Sequence, residues 1–213
     1  MTQYGFYFDS SRCTGCSTCE MACKDFKDLS QNEAFRKIYD YEGGKCEQGA
    51  DGTVTNTVFS YHVSAACNHC ASPMCFNACT VGAIEKDENG IVFIDQEKCT
   101  GCGECVTACP YGVPVAIAET GKVDKCDLCR DRIAEGKNPI CVDACPLRAL
   151  EFGDIEELRA AHPEAVAGIA PLADPALTTP SLLINACPAA KGTDDTEGAI
   201  TNYKSVPGVS AWE

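Results

Sequence analysis

Sixteen of the eighteen cysteines in this 213-residue chain fall into four tetrads. They are Cys13, Cys16, Cys19 and Cys23; Cys67, Cys70, Cys75 and Cys79; Cys99, Cys102, Cys105 and Cys109; and Cys126, Cys129, Cys141 and Cys145. The first and third read C-x2-C-x2-C-x3-C, and the other two keep the opening C-x2-C and the closing C-x3-C around a longer gap. Three thiolates at such spacing on a tight loop converge on one face of a [4Fe–4S] cubane. The fourth lies about one helical turn further on and points away from that cube. Four tetrads supply thiolates for four [4Fe–4S] clusters, and the chemistry is electron transfer.

Two other uses of cysteine fit less well. A disulfide scaffold belongs to an oxidising compartment, yet Met1 to Phe8 lacks the charged start and apolar core of a signal peptide. Zinc takes four ligands and has no use for three thiolates at i, i+3 and i+6. All sixteen positions are cysteine, Cys102 included, which favours four-iron over three-iron clusters. Thr14, Gly15, Thr100, Gly101 and Gly103 keep the ligand loops small enough to wrap a cluster. Cys46 and Cys187 have no partner at cluster spacing, and His69, between two ligands, is expected to hydrogen-bond rather than coordinate.

The elements that position these loops follow from an internal repeat. Tyr4 to Asp9 (YGFYFD) leads into Cys13 as Gly90 to Asp95 (GIVFID) leads into Cys99, so tetrads one and three are equivalent. Cys79 is followed by TVGAIE and Cys145 by PLRALE, so tetrads two and four are equivalent too. Ala83 to Lys86 and Ile91 to Ile94 flank an Asn-Gly turn signal and read as a hairpin. Residues 65–115 then form a contiguous two-cluster module of the bacterial-ferredoxin kind. Residues 1–30 with 116–153 form the same object split across the chain. In two-cluster ferredoxins the last cysteine of each run ligates the neighbouring cluster. The expected ligand sets are Cys67, Cys70, Cys75 with Cys109; Cys99, Cys102, Cys105 with Cys79; Cys13, Cys16, Cys19 with Cys145; and Cys126, Cys129, Cys141 with Cys23.

Residues 31–64 read as an insertion with aromatic strands at 35–41 and 57–63 around a Gly-rich turn, packing on a module or on a partner. Asp154 with Glu157 caps a helix running to about Ala161. Beyond it, within residues 154–213, the chain is Pro- and Ala-rich and is expected to run extended over this subunit or a neighbour. The fold class is α+β: two interleaved bacterial-ferredoxin-like modules, an inserted strand region and an extended C-terminal tail. Clusters would serve as much of the core, so loss of iron is expected to unfold the chain.

The formal charge of −14 excludes a nucleic-acid binder. No stretch of about 18 apolar residues is present to span a membrane, so membrane contact must come through a partner. A phosphate-cradling loop, a flavin fingerprint and a nucleophile–base pair are all lacking, so no catalytic residue is expected in this chain.

Several segments carry a resemblance: YGFYFDSSRCTGC (4–16), CKDFKDL (23–29), CNHC (67–70), KCDLCRDRIAEGK (125–137) and CVDACPLRAL (141–150). They resemble the electron-transfer iron–sulfur B subunit of the anaerobic dimethyl sulfoxide reductase family, over about residues 3–172. Thr80 departs from the family pattern, where proline often follows that cysteine, and the last forty residues match less. The resemblance implies a wire between a multi-span membrane anchor subunit that oxidises quinol and a molybdenum or tungsten bis-pterin (molybdopterin) catalytic subunit. It implies that the outer pair, tetrads one and four, lies nearer the catalytic subunit and the inner pair, tetrads two and three, nearer the membrane subunit. It also implies co-export with a twin-arginine catalytic partner, and so a peripheral place on the cytoplasmic membrane, on its extracytoplasmic face or, alternatively, its cytoplasmic one. Sulfoxide reduction is the expected terminal reaction. A free polyferredoxin shuttle, which would purify alone, and a subunit with its own active site, which would turn over alone, are the competing readings.

Overall fold

The computed structural model describes residues 2–207. Met1 and residues 208–213, the end of the expected tail, lie outside the described residues.

The first half runs from strand β1 (Tyr4–Asp9) through helix α1 (Thr18–Phe26) to β2 (Lys37–Gly43), β3 (Cys46–Gln48), β4 (Val54–Asn56) and β5 (Phe59–Ala65). Next come α2 (Met74–Ala78), β6 (Ile84–Lys86), β7 (Val92–Ile94), α3 (Glu104–Ala108), β8 (Val115–Ile117) and β9 (Lys122–Asp124). The chain closes with α4 (Arg130–Ala134), α5 (Ile140–Ala144), β10 (Leu150–Asp154), α6 (Ile155–Ala161), β11 (Leu182–Asn185) and β12 (Gly198–Ile200). These short helices and small sheets make an α+β fold of the ferredoxin-like kind. Among the described residues, no helix is long and apolar enough to cross a membrane.

Two antiparallel hairpin-like pairs carry the repeat. β6 and β7 meet with Ile84 opposite Ile94, and β10 meets β1 with Leu150 opposite Phe8. In each pair one strand follows the last cysteine of one tetrad and the other leads into the first cysteine of another. The β6–β7 pair is local, whereas β10 and β1 join distant parts of the chain. Helices pair in the same way, α2 on α3 and α1 on α5.

The insertion contributes strands β2 and β5 to a sheet with β12, in the order β12-β2-β5. Its strands begin two residues later than the aromatic pattern predicts. Phe35 is buried among Cys23, Cys67, Cys126 and Val113 instead of joining the sheet. Thr57 closes the neck of the β3–β4 hairpin, its backbone N–H donating to Lys45 O at 2.9 Å. Phe59, Tyr61 and Val63 then alternate inward against a core that includes Phe6, Phe8, Ile38 and Ile184.

Asp154 caps α6 by accepting from the N–H groups of Glu156 and Glu157 at 2.9 and 3.4 Å. The tail that follows lies on this chain as far as it is described. β11 runs parallel to β1, and β12 adds antiparallel to β2. Apolar residues explain the first docking, since Leu182, Leu183 and Ile184 are all buried.

Candidate iron–sulfur cluster sites

The opening C-x-x-C loops of the four tetrads share one backbone feature. Their third residue has positive φ in every case: Gly15 at 66°, His69 at 42°, Gly101 at 74° and Leu128 at 59°. A left-handed residue there turns the chain so that the flanking cysteines face the same side. At Gly101 the turn also presses backbone on backbone, because an added Cβ would lie 2.1 Å from Gly121 O.

The last cysteines share a second feature. Three residues after Cys79, Cys109 and Cys145 the chain again turns left-handed, at Gly82, Gly112 and Arg148. This brings the following N–H back onto sulfur: Ala83 N donates to Cys79 Sγ at 3.2 Å and Ala149 N to Cys145 Sγ at 3.3 Å. Cys23 differs because α1 continues past it to Phe26.

Three cavities are each lined by four tetrad cysteines. One holds Cys67, Cys70, Cys75 and Cys109; a second Cys13, Cys16, Cys19 and Cys145; a third Cys79, Cys99, Cys102 and Cys105. The space free of protein atoms is alike in all three, about 370, 320 and 310 Å³ with open solvent included. The remaining four cysteines face one another electrostatically. Burial, then the neighbouring Cys141 and Cys129, push the Cys23 thiol up to about 12, and Cys126 is raised by burial, Cys67, Cys23 and Cys141. In every set three cysteines come from one tetrad and the fourth from another.

These donor sets fit a cluster better than an ion. Around zinc, sulfur sits at about 2.3 Å from the metal. Among the described residues, no group of three or more His, Cys, Asp or Glu side chains is gathered closely enough for a single ion. The thiols instead ring a space that a larger sulfur-bridged body would fill. Burial pushes Cys75 up to about 12, and Cys13 and Cys70 up to about 11, so without metal these groups are neutral thiols at pH 7. Iron would hold them as thiolates.

Two buried cations mark where negative charge belongs. Arg36 is 2 % exposed and donates through Nη1 to Ser64 Oγ at 2.9 Å, but among the described residues its Nε and Nη2 have no hydrogen-bond partner. Burial opposes its charge, and it is as thiolates that Cys141, Cys19, Cys126 and Cys23 hold its pKa above the ordinary value. Lys125 is 1 % exposed; burial opposes it too, and Cys67, Cys126 and Cys75 raise it. A buried cation without a counter-charge costs several kcal/mol. Anionic clusters held by these cysteines would supply that counter-charge. Neither cation is identifiable from spacing, and the only sequence signal is that Lys125 adjoins a ligand.

The sites lie in a row. Cys19 faces Cys141 and Cys145, Cys126 faces Cys67, and Cys75 packs in one buried cluster with Cys105, Cys79 and Cys99. Cys16 and Cys102, at the two ends, are exposed. His69 is fully buried and accepts a hydrogen bond from Val92 N on Nδ1 at 3.0 Å. Cys46 is exposed on β3 and Cys187 is half-buried; neither lines any of these cavities.

Comparison with known proteins agrees with this chemistry. A 4Fe-4S dicluster domain matches residues 58–155, and a 4Fe-4S binding domain matches residues 10–30. A probable anaerobic dimethyl sulfoxide reductase subunit of Escherichia coli is 51 % identical over 205 residues, 96 % of this chain and 99 % of the relative. The B subunit of anaerobic dimethyl sulfoxide reductase from the same organism is 49 % identical over the same shares. A thiosulfate reductase electron transfer subunit of Salmonella typhi is 39 % identical over 156 residues, 73 % of this chain and 78 % of the relative.

Proposed function

This protein belongs to the family of anaerobic dimethyl sulfoxide reductase B subunits, and from that premise we propose that its sixteen tetrad cysteines hold four [4Fe–4S] clusters as crossed sets. It is a non-catalytic electron-transfer subunit of an oxidoreductase complex, carrying 4Fe-4S clusters. When bound, each cluster supplies a site that takes up and returns one electron.

The single observation that carries the count of four is the recurrence of one cysteine arrangement in three cavities and a fourth facing set, joined in a row. The chain's own residues do the rest. Cysteines hold the clusters, the left-handed loop residues turn N–H groups toward them, and Arg36 and Lys125 balance their charge in a dry interior.

Both ends of the row are suited to partners. Leu147 lines the cavity of Cys13 and is 41 % exposed, and Val81 lines that of Cys99 and is 44 % exposed. We place a molybdenum or tungsten bis-pterin catalytic subunit at the Cys13 end and a multi-span, quinol-oxidising membrane subunit at the Cys99 end. The chain then sits peripherally on the cytoplasmic membrane, on the extracytoplasmic face through export with a twin-arginine catalytic partner. Sulfoxide is the proposed terminal substrate.

Purification of the intact complex tests the reading. It predicts about sixteen iron atoms and as much acid-labile sulfide in this subunit, four for each [4Fe–4S] cluster. It also predicts a molybdopterin protein that stays bound through chromatography. A chain that purifies alone, or binds iron for only two clusters, overturns it.

A further inference from the structure

The two halves of the row meet where Cys67 and Cys126 face each other, and the residues beside those ligands are exchanged across the joint. Lys125 immediately precedes Cys126, yet its ammonium lies 3.5 Å from Cys67 Sγ in the other half. His69 lies two residues after Cys67, yet its Nε2 lies 3.9 Å from Cys126 Sγ. Each half therefore reaches for a sulfur of the opposite one.

The hydrogen-bond pattern fixes the polarity of both contacts. Lys125 has three N–H donors: it gives to Val92 O, to Cys126 O at 3.0 Å and to Cys67 Sγ. His69 accepts from Val92 N on Nδ1, so its ring proton is on Nε2, the nitrogen that faces Cys126. Val92 thus anchors both, its carbonyl holding the lysine and its N–H orienting the imidazole. Nothing about loop geometry demands a histidine here, because Leu128 occupies the matching position of the Cys126 loop with φ 59° against 42°.

We propose that Lys125 and His69 form a reciprocal clasp that hydrogen-bonds the sulfur ligands of the two middle clusters across the joint and sets their potentials. The clasp rests on the crossed ligand sets proposed above. Donors and positive charge at a ligand sulfur stabilise the reduced, more negative cluster, and so raise its potential. The effect is local, since the outermost clusters lie beyond these contacts.

Redox titration of the purified complex, read by electron paramagnetic resonance, tests it. Lys125→Met is expected to move the Cys67-site potential to lower values, with the Cys13 and Cys99 sites unmoved, and Lys125→Arg is expected to restore most of it. His69→Leu is expected to lower the Cys126-site potential. Wild-type potentials in both variants, or an equal shift at all four sites, overturn the clasp. If a variant loses iron, the native complex labelled with nitrogen-15 histidine decides. A histidine hyperfine coupling on a reduced cluster, kept in His62→Gln, supports the clasp, and its absence overturns it. A native complex lacking four cluster signals would instead count against the underlying ligand reading.

Discussion

Cys145 and Cys13 line one cavity, although one belongs to the last tetrad and the other to the first. The strand pair between β1 and β10 brings them together, with Phe8 opposite Leu150 just before the one loop and just after the other. Replacing Cys145 with Ser is expected to alter or remove the cluster at Cys13, Cys16 and Cys19 and to leave the one at Cys126, Cys129 and Cys141 in place. Electron paramagnetic resonance of the reduced complex reads the difference. A change confined to the Cys126 site would show that each tetrad serves itself.

Removal of iron is expected to unfold the chain. Without clusters the thiols of Cys13, Cys23, Cys70 and Cys75, pushed up to between about 11 and about 12, are neutral at pH 7. Arg36 and Lys125 then lie buried with no counter-charge, a cost of about 3–5 kcal/mol each. That sum compares with a whole-domain stability of about 5–15 kcal/mol. Near-ultraviolet circular dichroism during anaerobic chelation checks this, and a native spectrum in the iron-free protein would refute it.

Gly101 and Gly103 are expected to respond differently to alanine. Both have positive φ, 74° and 82°, so each substitution carries about 1–2 kcal/mol of backbone strain. Only at Gly101 does the new Cβ also strike backbone, at Gly121 O; around Gly103 nothing lies within 4 Å. Gly101→Ala is therefore expected to deplete the cluster of the Cys99 site severalfold, and Gly103→Ala to leave it largely filled. Iron content together with the signal of that cluster provides the measurement.

Glu33 ties the insertion to the end of β8. Its carboxylate accepts from Ala118 N at 2.8 Å and Ser30 N at 3.0 Å, and these bonds hold its pKa below the usual range. The folded value lies below the unfolded one, about 4.3. Its contribution is therefore fully present above pH 4.3 or so and is lost as pH falls through the folded value. Protection of the Ala118 amide, the slowing of its exchange relative to an unfolded chain at the same pH, is expected to fall on acidification in that window. Glu33→Gln, which costs about 1 kcal/mol at neutral pH, should protect Ala118 less at neutral pH and show a flatter pH dependence.

Much of the fold is legible without coordinates. The hairpin after Cys79 and the cap at Asp154 follow from turn and capping chemistry within a few residues. The aromatic pattern places the insertion strands two residues early, because Phe35 is aromatic like its strand neighbours but fills the space between cysteine sites. The tail carries no periodic signal. Its strands β11 and β12 are short, and they are stabilised by pairing with β1 and β2, far away in sequence.

The division between what spacing encodes and what folding decides is a matter of range. A cluster loop is local, three thiolates within a few residues, so the sequence by itself determined the 4Fe-4S kind of cofactor and the electron-transfer chemistry, and named the cysteines proposed to hold it. Charge balance and the joint between halves are not local. Arg36 faces cysteines of two tetrads, and Lys125 and His69 each reach past a neighbouring cysteine to one in the opposite half. Only tertiary structure decided those contacts, because a buried charge is placed by whichever distant groups the fold wraps around it, and no spacing along the chain records them.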